Sequence, residues 1–145
     1  MNHDPRIIVF ACNWCSYAAI DLAGTSRMKY PANTRVIRSP CSGRIDSQLV
    51  LEAFKQGADG VLLAGCHPGD CQYVVGNIKA LRRYKLLARM LNDLGIEGER
   101  FRLEWISASE ADKFVRVVKE MVEAIRLLPP IAMTKSVAVE VKAHA

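Results

Sequence analysis

The sequence predicts a single α/β domain in which about four parallel strands are joined by helical crossovers, with the cysteines at the carboxyl edge of the sheet. Short β-branched apolar runs alternate along the chain with segments whose apolar residues recur every three or four positions. A length of 145 residues, of which 50% are hydrophobic, suits one core of ordinary domain size. Each cysteine stands at or just past the end of an apolar run.

The first two strands are predicted from β-branched runs. Residues 6–11 (RIIVFA) form a buried strand that leads into a loop at residues 12–15 (CNWC). A short helix is expected from about Tyr17 to Leu22 or beyond. Residues 33–38 (NTRVIR) form the second strand, because the Ser-Pro pair that follows them ends strand pairing.

The middle of the chain predicts one helix and one fully buried strand. Apolar residues recur with helical spacing over residues 46–56, with Asp46 as a plausible N-cap and Gly57 as the stop. Residues 60–65 (GVLLAG) are continuously apolar between glycines. This pattern is typical of a central strand in a parallel sheet that is covered on both faces.

The second half predicts a long helix, a fourth strand and a last helix. An amphipathic helix is expected over about residues 73–92, ending near Gly95, and a strand over residues 101–106 (FRLEWI). Residues 107–110 (SASE) have the sequence of a capping box, and the double proline at 129–130 ends the helix that this box opens. The apolar stripe of the last helix consists of Phe114, Val118, Met121, Val122, Ile125 and Leu128.

The alternation of strands and helices predicts a flavodoxin- or Rossmann-like order with right-handed crossovers. Residues 1–130 are expected to form this domain. Residues 131–145 follow the double proline, mix Val, Lys and Glu, and are expected to be a flexible or partner-docking tail. The sequence shows no second domain and no internal repeat.

Composition excludes some classes of protein. No apolar stretch reaches the length of about 18 residues that a membrane span needs, and the N-terminus lacks the pattern of a secretory signal. We therefore expect a cytoplasmic protein with no membrane contact. In that reducing compartment, five cysteines indicate metal binding or redox chemistry and argue against a disulfide framework.

The formal charge of +5 does not indicate nucleic acid binding, because the basic residues are spread along the chain without an aromatic-basic motif. Four of them fall on one side of the predicted long helix, either as a solvated face or as a docking patch for an acidic protein. They are Lys79, Arg82, Arg83 and Arg89, opposite Val74, Leu81, Ala88 and Leu91.

The cysteines are the candidate functional residues. Because the carboxyl ends of parallel strands meet at one edge, thiols that follow different strands are expected to become neighbours. A [2Fe-2S] cluster needs four thiolates and zinc also favours them, so the spacing does not select iron over zinc. Thiol-disulfide chemistry at the C-x-x-C pair is a third possibility. The candidates are Cys12, Cys15, Cys41, Cys66 and Cys71.

Residues beside the cysteines suggest supporting roles. Gly43, Gly65 and Gly69 allow backbone N–H groups to approach sulfur, where hydrogen bonds shift a reduction potential. His67 is expected to be a turn residue or to lie just outside the metal's ligands. Trp14, with Tyr17, is expected to shield the site from water.

The chain lacks the equipment of an independent enzyme, and we predict no catalytic residues. No Gly-x-Gly-x-x-Gly follows the first strand, and neither a phosphate-binding Gly-Lys-Ser/Thr loop nor a nucleophile elbow occurs. A cysteine hydrolase needs a partnered histidine, and two of the three histidines lie near the termini.

Five segments closely resemble the methyl-viologen-reducing hydrogenase delta subunit family. They are ACNWCSYA (11–18), PCSGR (40–44), GADGV (57–61), GCHPGDC (65–71) and RLEWISAS (102–109). The likeness covers about residues 6–128, and all five cysteines stand in matching contexts.

The resemblance implies an electron-transfer adaptor of methanogens and related anaerobes. A [2Fe-2S] centre would relay electrons from a hydrogenase or formate dehydrogenase to the A subunit of heterodisulfide reductase, which carries FAD and iron-sulfur clusters and performs electron bifurcation. Four of the five cysteines would bind iron. Cys66 and Cys71 are the firmest choices, and whether Cys41 or Cys15 is a ligand stays open.

Overall fold

The computed structural model describes residues 3–131, in which four strands alternate with four helices. Short 3-10 turns occur at Ser42–Arg44 and Gly98–Arg100. None of these helices has the length and apolar character that crossing a membrane requires. The elements are β1 (Ile7–Cys12), α1 (Ser16–Thr25), β2 (Thr34–Ser39), α2 (Ser47–Lys55), β3 (Gly60–Gly65), α3 (Gly76–Asp93), β4 (Phe101–Trp105) and α4 (Ala111–Arg126).

The four strands form one parallel sheet in the order β2-β1-β3-β4. The predicted parallel α/β architecture is therefore confirmed. β3 pairs with β1 on one side and β4 on the other, and all six of its residues are buried. This agrees with its continuously apolar sequence, because an inner strand covered on both faces has no position for a solvated side chain.

Helices cover both faces of the sheet. Alternate residues of β1 point to opposite sides, so that Ile7, Val9 and Ala11 join one core cluster and Phe10 joins another. The first cluster contains the apolar faces of α1 and α4, and the second contains those of α2 and α3. This arrangement is the two-sided α/β layering that the sequence predicts.

Helix α3 differs from the prediction at its start. It begins at Gly76, three residues after the expected position, because Val74 adopts a left-handed backbone conformation with φ of 67°. The Val74 N–H donates to the carbonyl of Cys71 at 3.0 Å, which closes a turn ahead of the helix. Val74 is mostly exposed and does not belong to the buried stripe, which instead contains Ala80, Leu87 and Leu91.

The two predicted N-caps are incomplete. The carboxylate of Glu110 accepts a hydrogen bond from the Ser107 N–H at 3.0 Å, as in a capping box, but the Ser107 hydroxyl pairs with that of Ser109. The helix begins only at Ala111, after the predicted box. Asp46 precedes α2 as expected, without a side-chain cap hydrogen bond.

The predicted tail has only its first residue, Ile131, within the described part of the chain. Residues 132–145 lie outside it. Ile131 packs against the core cluster on the α2 and α3 side of the sheet.

Candidate functional site

The structure brings the five cysteines together. Four form a buried cluster, in which Cys12 and Cys66 are each 1% exposed, Cys41 is 8% exposed and Cys71 is 9% exposed. Cys15 is half-buried and packs against this cluster. Cys12 is the last residue of β1, Cys66 follows β3 directly, and Cys41 follows β2 after one residue.

Two sulfurs from different strands are nearly at the spacing of ligands to one metal. The Sγ atoms of Cys12 and Cys66 are 3.5 Å apart. Two thiolates bound tetrahedrally at about 2.3 Å from one metal are about 3.8 Å apart. All five cysteines are free, so no disulfide occupies the cluster.

The sulfurs of Cys41 and Cys71 both lie next to Gly76, a glycine that our sequence prediction overlooked. A Cβ atom on Gly76 would lie 2.3 Å from the Sγ of Cys41 and 3.2 Å from that of Cys71. Gly43 is equally constrained, because its Cβ would lie 2.7 Å from the carbonyl oxygen of Gly76. The backbone N–H of Gly43 donates to the Cys41 Sγ at 3.4 Å. Side chains are therefore excluded beside these sulfurs, as the backbone approach requires.

The start of α3 stabilises the thiolate form of Cys71. Burial raises the pKa of this thiol, but hydrogen bonds from the backbone N–H groups of Asn77, Tyr73 and Gly76 outweigh burial and lower it. These groups belong to the first turn of the helix and the loop before it, where unpaired N–H groups favour a negative charge.

Three other thiols behave in the opposite way. Burial raises the pKa of Cys66, Cys15 and Cys41. Thiols of this kind are protonated at neutral pH and are weak nucleophiles, whereas the attacking thiol of a thioredoxin-like motif has a lowered pKa. Metal binding would displace these protons.

Asn77, which sequence reasoning missed, anchors the loop between Cys66 and Cys71. Its side chain is fully buried, and its amide donates to the carbonyls of Cys66 at 3.1 Å and His67 at 3.0 Å. The signal that could have found it is a polar residue on the buried stripe of α3, in register with Ala80 and Leu87.

Ser16 makes a second anchor that the sequence did not reveal. Its buried hydroxyl lies 3.2 Å from the carbonyl of Gly65 and 3.1 Å from that of Ile106, so it can donate to either. Since Ser16 directly follows Cys15, this contact ties the first cysteine loop to the ends of β3 and β4. A serine at a helix start gives no distinguishing pattern in the sequence.

His67 lies in a turn, where its carbonyl accepts from the N–H of Asp70 at 3.0 Å. Its imidazole Nε2 lies 2.5 Å from the carboxylate of Glu110, in the loop before α4. Hydrogen bonds from the Ser107 N–H and from His67 lower the pKa of Glu110 to about 2. The ring thus links two loops, and its Nε2 is engaged outside the cysteine cluster.

The donor set fits a thiolate-bound metal group. Two sulfurs have backbone N–H groups directed at them, and Gly76 allows the backbone to approach the Sγ of Cys41 closely. Within residues 3–131, no three histidine, cysteine, aspartate or glutamate side chains are placed to hold one metal ion together. Cysteine thiolates bind both zinc and iron-sulfur clusters, so the residue types by themselves suit either group.

The cluster opens toward the surface beside Cys41. A depression of about 310 Å³ is lined there by Cys41, Arg44, Tyr73, Val75 and Lys79, among others. The indole Nε1 of Trp14 donates to the Tyr73 hydroxyl at 3.3 Å. Trp14 is about half exposed.

Comparison with protein families identifies one that covers most of the chain. The model of the family described as "Methyl-viologen-reducing hydrogenase, delta subunit" matches residues 7–128. This range includes all five cysteines and every strand and helix of the described structure.

Two curated relatives match along nearly their whole length. The chain is 54% identical over 127 residues to the iron-sulfur D subunit of F420-non-reducing hydrogenase from Archaeoglobus profundus, covering 88% of this chain and 93% of the relative. It is 49% identical over 135 residues to the vhc iron-sulfur D subunit of F420-non-reducing hydrogenase from Methanococcus voltae, covering 93% of this chain and 94% of the relative.

A third relative is much longer than this chain. The chain is 46% identical over 127 residues to the A subunit of a ferredoxin/F420H2-dependent CoB-CoM heterodisulfide reductase from Methanosarcina acetivorans. The match covers 88% of this chain and 16% of the relative.

Proposed function

Because the chain belongs to the methyl-viologen-reducing hydrogenase delta subunit family, we propose that it is an electron-transfer subunit that carries a [2Fe-2S] cluster. It relays electrons from a hydrogenase or formate dehydrogenase to the flavin-containing A subunit of heterodisulfide reductase. The observation that carries the proposal is the buried cluster of four cysteines, with a fifth beside it, in a chain whose relatives are named iron-sulfur subunits.

Burial distinguishes the proposed ligands. Cys12, Cys41, Cys66 and Cys71 bind iron, and Cys15 is the surplus thiol, because the first four are buried in one cluster and Cys15 is half-buried beside it. Four thiolates are the number that a [2Fe-2S] cluster takes. Of the two alternatives, Cys41 and Cys15, the greater burial of Cys41 supports Cys41 as the fourth ligand.

When bound, such a cluster accepts and releases single electrons. The chain's own residues bind it, exclude water and supply hydrogen bonds. The N–H groups of Gly43, Tyr73, Gly76 and Asn77 face two of the proposed ligand sulfurs, and their hydrogen bonds favour added negative charge. Asn77 and Ser16 hold the cysteine loops against the sheet, which keeps the ligand sulfurs in fixed positions.

The partners are proposed from how the relatives are built. In Methanosarcina acetivorans the matching region is part of a heterodisulfide reductase A subunit, whereas the Archaeoglobus profundus relative is a hydrogenase subunit of about this chain's length. A domain fused to the A subunit in one organism and associated with hydrogenase in another is suited to connect the two. The proposed setting is the cytoplasm, within an electron-bifurcating complex of methanogenic metabolism.

Anaerobic metal and sulfide analysis tests the function. The chain is purified under nitrogen, and its iron, zinc, acid-labile sulfide and absorption spectrum are measured before and after dithionite reduction. We expect about two iron and two sulfide per chain, visible absorption that bleaches on reduction, and an EPR signal of the reduced cluster.

The two alternative hypotheses, a structural zinc site and thiol-disulfide chemistry, predict different results in this experiment. About one zinc per chain without iron would establish a structural zinc module. A reversible two-electron couple in metal-free protein would establish thiol-disulfide chemistry. Either result contradicts the relay.

A further inference from the structure

An exposed apolar patch surrounds the opening of the cysteine cluster. Trp14 is 49% exposed, Tyr73 52%, Val74 78% and Val75 48%. Trp14 lies in the loop between Cys12 and Cys15, and the other three lie between Cys71 and the first residue of α3. We call these four residues the apolar patch. The two loops that supply the patch also supply three of the five cysteines.

The patch is continuous and reaches the cluster. The hydrogen bond from Trp14 to the Tyr73 hydroxyl joins its two loops. Tyr73 and Val75 line the depression that Cys41 also lines. Cys41 is more exposed than Cys12 and Cys66, so the patch lies beside one of the more accessible of the buried thiols.

The rim of the patch carries an excess of positive charge. Arg44 and Lys79 line the same depression, and both are exposed. The guanidinium of Arg83 bonds to the carbonyl of Gly43 in the 3-10 turn beside them. Asp46 lines a second depression together with Arg83, and Asp70 is exposed in the loop before Cys71. Three cations against these two carboxylates leave a positive excess, which favours a partner whose facing surface is acidic.

Packing within the chain does not explain why an apolar side chain is exposed on a left-handed backbone at Val74. A β-branched residue with φ of 67° is an outlier, and a conformation of this kind is unfavourable by itself. Its side chain is mostly exposed and adds little to the core. Exposed apolar groups next to aromatic side chains and cations have the composition of an interface centre.

We propose that the apolar patch and its rim of Arg44, Lys79 and Arg83 form the docking surface for a redox partner whose facing surface has an apolar centre ringed by carboxylates. The inference deepens the proposed function and rests on it. An electron relay needs its centre close to the interface. Here the apolar patch excludes water beside one of the more accessible of the buried thiols, and the cations orient the partner.

The test measures partner binding by variants loaded with iron. The probes are purified hydrogenase and the purified A subunit of heterodisulfide reductase, each titrated into the anaerobically loaded full chain at low and high salt. The docking variants are Trp14→Ala, Val74→Gly and Lys79→Glu. The controls are Leu127→Ala, an exposed apolar residue beyond α4, and Lys119→Glu, an exposed lysine on α4.

For at least one probe we expect Trp14→Ala to weaken binding about tenfold or more, as loss of an interface tryptophan does. Lys79→Glu should weaken binding at low salt, and the loss should shrink as salt rises. Val74→Gly removes the apolar group but suits the left-handed backbone, so it should weaken binding without lowering thermal stability. The controls should bind like the unchanged chain.

The iron and sulfide content of each variant distinguishes failure of the docking surface from failure of the proposed relay. If every variant holds iron and sulfide and is reduced by dithionite to the same extent, yet docking variants and controls bind both probes equally, the docking surface is wrong and the relay stands. Failure of the unchanged chain to hold a cluster overturns the relay and the docking surface with it. The docking surface is also wrong if the unchanged, loaded chain binds neither the hydrogenase nor the A subunit.

Discussion

The α-carbon of Gly76 lies so close to the Sγ of Cys41 that a methyl group on it would come within 2.3 Å of the sulfur. Gly76 is the first residue of α3, and its N–H also faces the sulfur of Cys71. A single glycine therefore allows one helix terminus to approach two of the proposed ligands.

Replacing Gly76 tests whether the start of α3 must lie this close to the two sulfurs. Gly76→Ala forces either Cys41 or the helix terminus to move, and overpacking of this kind costs about 1–3 kcal/mol. We expect lower iron and sulfide content and faster loss of the visible bands under a chelator. Gly24→Ala is the control, because a Cβ on Gly24 in α1 meets no atom within 4 Å and alanine favours the helix. Equal cluster stability in the two variants would contradict the steric argument.

Single cysteine replacements should identify the surplus thiol. Cys15→Ser is expected to keep the visible spectrum and EPR signal, because Cys15 is the half-buried member of the group. Serine at Cys12, Cys41, Cys66 or Cys71 removes a ligand and should abolish or strongly shift both signals. Loss of the cluster in Cys15→Ser with retention in Cys41→Ser would reverse the assignment.

Asn77→Ala should destabilise the loaded protein by about 1–3 kcal/mol, because it leaves the carbonyls of Cys66 and His67 without their amide donor. Urea unfolding monitored by far-UV circular dichroism measures the loss. Asn92→Ala removes an exposed amide from the same helix and should leave the midpoint unchanged. If the two variants have the same urea midpoint, the side-chain amide of Asn77 does not stabilise the loop between Cys66 and Cys71.

The pairing of Glu110 with His67 should depend on pH. The folded state lowers the pKa of Glu110 from its ordinary 4.5 to about 2. A lowered carboxyl pKa stabilises the fold fully above the ordinary value, and this contribution is lost as pH falls from about 4.5 to about 2. Because the pair is partly exposed, we expect only about 1 kcal/mol.

Glu110→Gln should therefore unfold at a lower temperature than the unchanged chain at pH 7, and the two should converge as pH falls below about 4. The control, Glu123→Gln, removes an exposed carboxylate from α4 and should match the unchanged chain throughout. If the difference in unfolding temperature between Glu110→Gln and the unchanged chain stays constant from pH 7 to pH 3, the charge of Glu110 is not the source of that difference.

The sequence predicts the sheet well because each strand has a strong local signal. Residues 60–65 match β3 at both ends, since glycines bound a run in which every residue is apolar. The same kind of pattern predicts the start of α3 three residues early, because the helical apolar spacing extends back over Val74. Apolar spacing does not report that this valine adopts a left-handed conformation and ends up exposed.

Residues that position the proposed ligands are harder to predict. Gly76 and Asn77 carry no motif, and their roles depend on sulfur and carbonyl groups contributed by other segments. The capping-box sequence predicts the start of α4, but the carboxylate of Glu110 also contacts His67, 43 residues away in the chain. Tertiary contacts of this kind override a local preference.

The sequence alone determined that this chain is a parallel α/β domain with five cysteines placed after apolar runs, because strand pattern and thiol position are local properties. Only the tertiary structure decided which thiols are buried together. Cys12 and Cys66 are 54 residues apart in the chain, yet their sulfurs lie 3.5 Å apart. Burial and hydrogen bonding at such a site depend on how the crossovers pack, and this packing brings together segments that no short sequence window contains.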